Sequence, residues 1–114
     1  MRIAAFILVI LLTGCLKSKR HYYDTLKLND YYNCKSKLYV ETYRVGGLKS
    51  DYLTDSVNFR KYIGSYDDEQ GMISFRCKED SIFVYTEDRI DNKLKMTDTI
   101  MYLVKALKAD HKFE

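Results

Sequence analysis

Few residues in this chain could do covalent chemistry, and they are scattered. The two histidines, His21 and His111, lie toward opposite ends of the 114 residues, where a general base is hard to hold against its proton. No Gly-x-Ser-x-Gly elbow and no His-Glu-x-x-His pair occurs, so neither a strained serine nucleophile nor a zinc-binding helix is signalled. Gly46-Gly47-Leu48-Lys49-Ser50 has part of the composition of a phosphate-cradling loop. It lacks the first glycine and the Gly-Lys-Ser ending, and a turn between strands accounts for it. Asp67-Asp68-Glu69 sets three acids in a row, whereas a calcium loop alternates ligands with spacers and adds a distal acid. That run reads as a solvated hairpin tip. Asp51, Asp55, Glu79 and Asp80 fall in expected turns, where carboxylates bond nearby backbone. The expectation is a chain that is not an enzyme, with no metal and no cofactor.

Tyrosine is what remains. Eleven tyrosines, with no Trp and no Pro, exceed what one small core absorbs, and Tyr brings both contact area and a hydroxyl to an interface. Tyr39 and Tyr43 share a face of one expected strand, and Tyr62 and Tyr66 share a face of another. Turned outward, these four form a platform for a protein or a glycan; turned inward, they are half-buried packing. Hydrophobic residues make up 46% and charged residues 31% of the chain, proportions that exclude wholesale disorder. A net charge of +3 is too balanced to make nucleic acid the default partner.

Export is written more clearly than activity. Arg2 precedes an unbroken apolar run from Ile3 to Leu12, followed by Thr13 and Gly14, the layout of a secretory signal peptide. The run is too short for a membrane span, which needs about 20 apolar residues. Leu12-Thr13-Gly14-Cys15 resembles the lipobox of bacterial lipoproteins, in which a small residue precedes the cysteine; the resemblance covers the first 15 residues. It implies cleavage before Cys15, a diacylglyceryl group on its sulfur and acylation of its new amine. Such an anchor holds far more firmly than a single acyl chain. Residue 16 is Leu, not the Asp that retains some lipoproteins in the inner membrane, so the same resemblance favours the outer membrane. Lys17, Lys19 and Arg20 either rest on anionic headgroups, at about 1 kcal/mol each, or belong to a solvated tether.

The chain therefore divides into a signal peptide (1–14), a lipidated tether (15–36) and one small β-rich domain (37–114). With Cys15 acylated, Cys34 and Cys77 are left as a pair in an exported chain. Bridged, they would add about 4 kcal/mol in the chain-entropy picture; unbridged, they pack as small hydrophobes.

The elements that must position these residues are strands. Residues 37–45 are rich in β-branched and aromatic side chains and stop at Gly46-Gly47. Residues 57–63 alternate and end at Gly64. In 72–77, Ile73, Phe75 and Cys77 share a face, and Lys78-Glu79-Asp80-Ser81 turns the chain into 82–86. Setting Cys77 opposite Ile82 brings Phe75 to Val84 and Ile73 to Thr86, a self-consistent register. Strands 57–63 and 72–77 are expected to pair as a hairpin, in the register that buries Phe59 and Ile63; a four-residue loop would instead pair Tyr62 with Phe75, and one residue of loop length exchanges the two faces. A final strand near 99–104 runs into a helical turn at 105–109; the alternative is a helix over 98–109. Residues 21–33 fit tether, short helix or first strand.

The expected architecture is mainly β, an antiparallel meander of four or five strands with a short C-terminal helical turn. Its pattern is similar to that of the small β-rich envelope lipoproteins of Gram-negative bacteria. The expected function is a membrane-anchored, non-catalytic binding or structural module with an envelope protein or glycan as partner. The alternative is an anchored inhibitor or immunity-type protein that plugs an enzyme or toxin with loops 46–56 and 66–71.

Overall fold

The computed structural model describes residues 19–67 and 71–114; the expected signal peptide, Cys15, Asp68 and Glu69 lie outside the described residues. The protein is mainly β, with seven antiparallel strands in two sheets and one short helix. The strands are β1 (Arg20–Lys27), β2 (Tyr39–Val45), β3 (Leu48–Thr54), β4 (Arg60–Tyr66), β5 (Gly71–Lys78), β6 (Ser81–Ile90) and β7 (Lys93–Leu103). A single 3-10 turn (Leu28–Asp30) follows β1, and α1 (Val104–Asp110) follows β7. One sheet has the order β1-β2-β3-β4 and the other β5-β6-β7.

Short turns fix the registers. Val45 pairs with Leu48 across Gly46-Gly47, and Gly46 takes φ +63°, which a two-residue hairpin turn requires and glycine accepts without strain. Asp91 and Asn92 do the same for β6 and β7, with φ of 54° and 63°. Between β5 and β6 the register is Ile73↔Thr86, Phe75↔Val84 and Cys77↔Ile82, as the alternation of apolar residues predicts.

The core lies between the sheets. Leu28, Leu38, Val40, Leu53, Phe59 and Ile63 meet Ile73, Phe75, Ile82, Val84 and Val104. Cys34 and Cys77 are joined as a disulfide with Cα atoms 5.1 Å apart, which ties the loop before β2 to β5 in the opposite sheet. Asn29 shapes that loop. Its amide donates to the carbonyls of Cys34 and Ser36, both at 3.0 Å, and its oxygen accepts from the Leu38 N–H at 3.0 Å.

Three expectations change. Residues 20–36, expected as part of the tether 15–36, belong to the fold: β1 pairs along β2, and the 3-10 turn buries Leu28. Residues 48–54 form β3 where a loop was expected, because polar Ser50 and Asp51 sit in a strand and their polarity hides it. With β1, that raises the strand count from four or five to seven. The 57–63 and 72–77 strands do not pair: β4 is bonded to β3, and the chain then crosses to the other sheet. Phe59 and Ile63 are buried all the same, by stacking on that sheet, since an apolar face can be covered either way. The C-terminal expectation holds: the last strand runs to Leu103 and passes into a short helix at Val104, whose N–H donates to the Asp80 carbonyl at 2.9 Å, and the alternative helix over 98–109 is not formed.

Candidate functional site

Three surfaces carry the side chains that could recognise something. The first is the outer face of the four-stranded sheet. Cross-strand register places Tyr22 beside Tyr43 and Tyr52 beside Tyr62. Their ring centroids follow one another at 5.8, 5.4 and 5.5 Å along the line Tyr22–Tyr43–Tyr52–Tyr62. Tyr22–Tyr43 and Tyr43–Tyr52 meet edge to face, at 75° and 90°, and Tyr52–Tyr62 is tilted at 58°; edge-to-face contacts stabilise aromatic pairs by about 0.5–1.5 kcal/mol. The guanidinium of Arg20 lies over the Tyr43 and Tyr52 rings, 4.7 and 4.9 Å from their centroids.

Each of three hydroxyls in the row is held. Tyr22 bonds Thr25 Oγ1 at 2.7 Å, Tyr62 bonds Ser65 Oγ at 2.6 Å, and Tyr43 donates to Glu41 Oε1 at 2.9 Å. Burial, and then the Glu41 carboxylate, push the Tyr43 phenol above its ordinary pKa. Arg60 pairs with the same Glu41 oxygen at 3.8 Å.

Of the four tyrosines singled out in the sequence, Tyr43 and Tyr62 stand in this row. Tyr39 lies on the same face of β2 beyond Glu41, outside the row. Tyr66 lies on the opposite face. A bulge at Ile63, where Tyr52 pairs with Tyr62 but Asp51 pairs with Gly64, puts Tyr62 and Tyr66 on different sides of the sheet. Tyr22 and Tyr52 were missed because β1 and β3 were not read as strands.

The second surface is a cleft of about 240 Å³ between the sheets, lined by residues that include Thr42, Lys49, Asp51, Tyr66, Ile73 and Phe75. At its floor Asp51 is only 4% exposed. Its Oδ1 accepts from Thr42 Oγ1 at 2.7 Å and from the Tyr66 hydroxyl at 3.4 Å. Burial raises the Asp51 carboxyl above the usual range, against the pull of those two hydroxyls and of Lys49. Tyr23 stands at the rim with Arg44 4.8 Å and Lys49 4.1 Å from its ring centroid. Among the described residues, no three His, Cys, Asp or Glu side chains converge to hold a metal ion. His21 is on β1 and His111 follows α1, both exposed.

The third surface is the outer face of the three-stranded sheet. Alternation and register put Met72, Ser74 and Arg76 of β5, Phe83, Tyr85, Glu87 and Arg89 of β6, and Leu94, Met96, Met101 and Leu103 of β7 on that side. Five of its apolar side chains, Met72, Leu94, Met96, Met101 and Leu103, are between 41% and 60% exposed. Isolated exposed apolar residues are ordinary, but a contiguous group across three strands marks an interaction surface. No family model, no curated protein and no solved structure matches the chain.

Proposed function

We propose that this chain is a lipid-anchored, non-catalytic module of the bacterial envelope that holds a partner protein on its β-sheet surface. The observation that carries this reading is the uncovered apolar face of the three-stranded sheet. It has the make-up of the centre of an interface, with methionines and aromatics and one acid, Glu87, among them. Two features support an exported, anchored chain. Residues 1–15 have the leader and lipobox pattern, and the Cys34–Cys77 disulfide belongs to an oxidising compartment. Leu16 favours the outer membrane by the same resemblance. The inhibitor alternative loses support at 46–56, where β3 occupies 48–54 after a two-residue turn; residues 68–70 of its other loop, 66–71, lie outside the described residues.

The two halves of this proposal are tested separately. Cys15→Ala should abolish lipid labelling and leave the leader uncut; normal labelling of that variant refutes the anchor. A photo-crosslinker at Met101, used in the native envelope, should give one discrete adduct. Arg76→Glu together with Leu103→Asp should remove that adduct without lowering the melting temperature. An adduct pattern that is diffuse, or unchanged by the variant, refutes the docking face.

A further inference from the structure

We propose that the tyrosine face of the four-stranded sheet lies against the headgroup layer of the bilayer, so that the three-stranded sheet is turned away from it. The inference rests on the anchored reading and adds an orientation to it. Cys15 and Arg20 are five residues apart, and a fully extended chain gains at most about 3.3–3.6 Å per residue, about 18 Å in all. The first residue of β1 is thus held close to the acylated cysteine.

Arg20 opens on the tyrosine face. Its guanidinium crosses Tyr43 and Tyr52, and its register partner Val45 leads to Leu48, which is 45% exposed at the same end of the sheet. The side of the fold nearest the tether therefore combines one aliphatic side chain with a row of amphipathic rings. Tyr22 is 61% and Tyr62 42% exposed. Rings with one apolar and one wet end partition to the membrane–water boundary.

Charge on this face is close to balanced and does not oppose that placement. Arg20, Lys27 and Arg60 lie on it by register, but Arg20 Nη1 and Arg60 Nε donate to the main-chain oxygen of Glu114 at 3.1 and 2.9 Å, and Arg60 also pairs with Glu41. The placement therefore rests on the short link to Cys15 and on the rings, with little added by cation attraction. A glycan stack is less well served, because Arg20 already covers two of the ring faces.

Absence of tryptophan from the chain makes a clean test possible. Tyr62→Trp and Tyr22→Trp each put one reporter on the tyrosine face, and Tyr85→Trp puts one on the opposite outer face. The full lipidated protein would be reconstituted in phosphatidylethanolamine–phosphatidylglycerol vesicles carrying a nitroxide high on the acyl chain. Quenching at 62 and 22 should exceed that at 85 by about twofold or more, as for side chains at the interface. Equal quenching, or stronger quenching at 85, overturns the orientation while leaving the anchor intact. Blue-shifted but unquenched emission at 62 and 22 would mean that protein covers the face, and overturns it too. Mass measurement of the same sample reads the anchor independently: a chain without lipid sinks the anchored reading and this inference with it.

Discussion

At the scale of single residues, two aspartates four residues apart, Asp51 and Asp55, behave oppositely, and pH separates them. Asp55 organises the β3–β4 connection: its Oδ1 accepts the N–H groups of Val57, Asn58 and Phe59 at 3.0, 2.7 and 3.3 Å, and Oδ2 accepts from the Asn58 amide at 2.7 Å. Partial burial pushes its carboxyl up, but the bonds from Asn58, Val57 and Phe59 outweigh that and hold it below the usual range. A depressed carboxyl stabilises the fold above its unfolded pKa of about 4 and loses that contribution as pH falls through the folded value. Asp55→Ala should therefore lower stability by about 1–2 kcal/mol at neutral pH, with a smaller deficit below pH 3, as read by urea melts. Asp51 has the reverse sign. Its raised carboxyl costs stability as pH climbs through the folded value, so Asp51→Asn, which keeps shape and removes the buried charge, should be at least as stable at pH 7. A loss of more than about 1 kcal/mol would contradict the assignment of burial as the dominant cause.

Among the elements, the bulge in β4 decides which tyrosines are neighbours. Gly64 sits there with φ +149°, and a Cβ on it would lie 3.0 Å from Ile73 Cδ1 of the facing sheet. Gly64→Ala should cost about 1–3 kcal/mol, through backbone strain and overpacking together; a melting temperature unchanged within about 2 °C would refute the close approach. The bulge also shows what the sequence makes legible. Strict alternation in Ile73-Ser74-Phe75-Arg76-Cys77 and Ile82-Phe83-Val84 specified both the β5–β6 strands and their register. Arg60 to Tyr66 alternates too, but one extra residue in the ladder exchanges faces part-way, and alternation alone cannot place an insertion. β3 was obscured because only Leu53 supplies a fully buried apolar side chain there, while buried Ser50 and Asp51 are satisfied by bonds to Ser65 and Thr42. Those partners are distant in sequence. The stacking of β4 on β5, instead of their pairing, was equally invisible, since both arrangements bury Phe59 and Ile63.

At the scale of the whole molecule, the sheets share a core but no ladder, and the bond from Cys34 to Cys77 spans them. Closing a loop across a sequence separation of 43 is the kind of restraint whose removal typically costs about 2–5 kcal/mol. For a domain of this size that is a large part of a total of about 5–15 kcal/mol. The Cys34→Ser, Cys77→Ser chain should unfold at markedly lower urea than the parent. Equal midpoints would show that apolar contact alone holds the sheets together. The same crosslink governs where the protein can be made. Expressed from residue 19 onward in a host cytoplasm that keeps thiols reduced, the chain would present Phe75, Ile82 and Val84 to solvent whenever the halves part, and should collect in inclusion bodies; routed through an oxidising secretory compartment, it should accumulate in the supernatant.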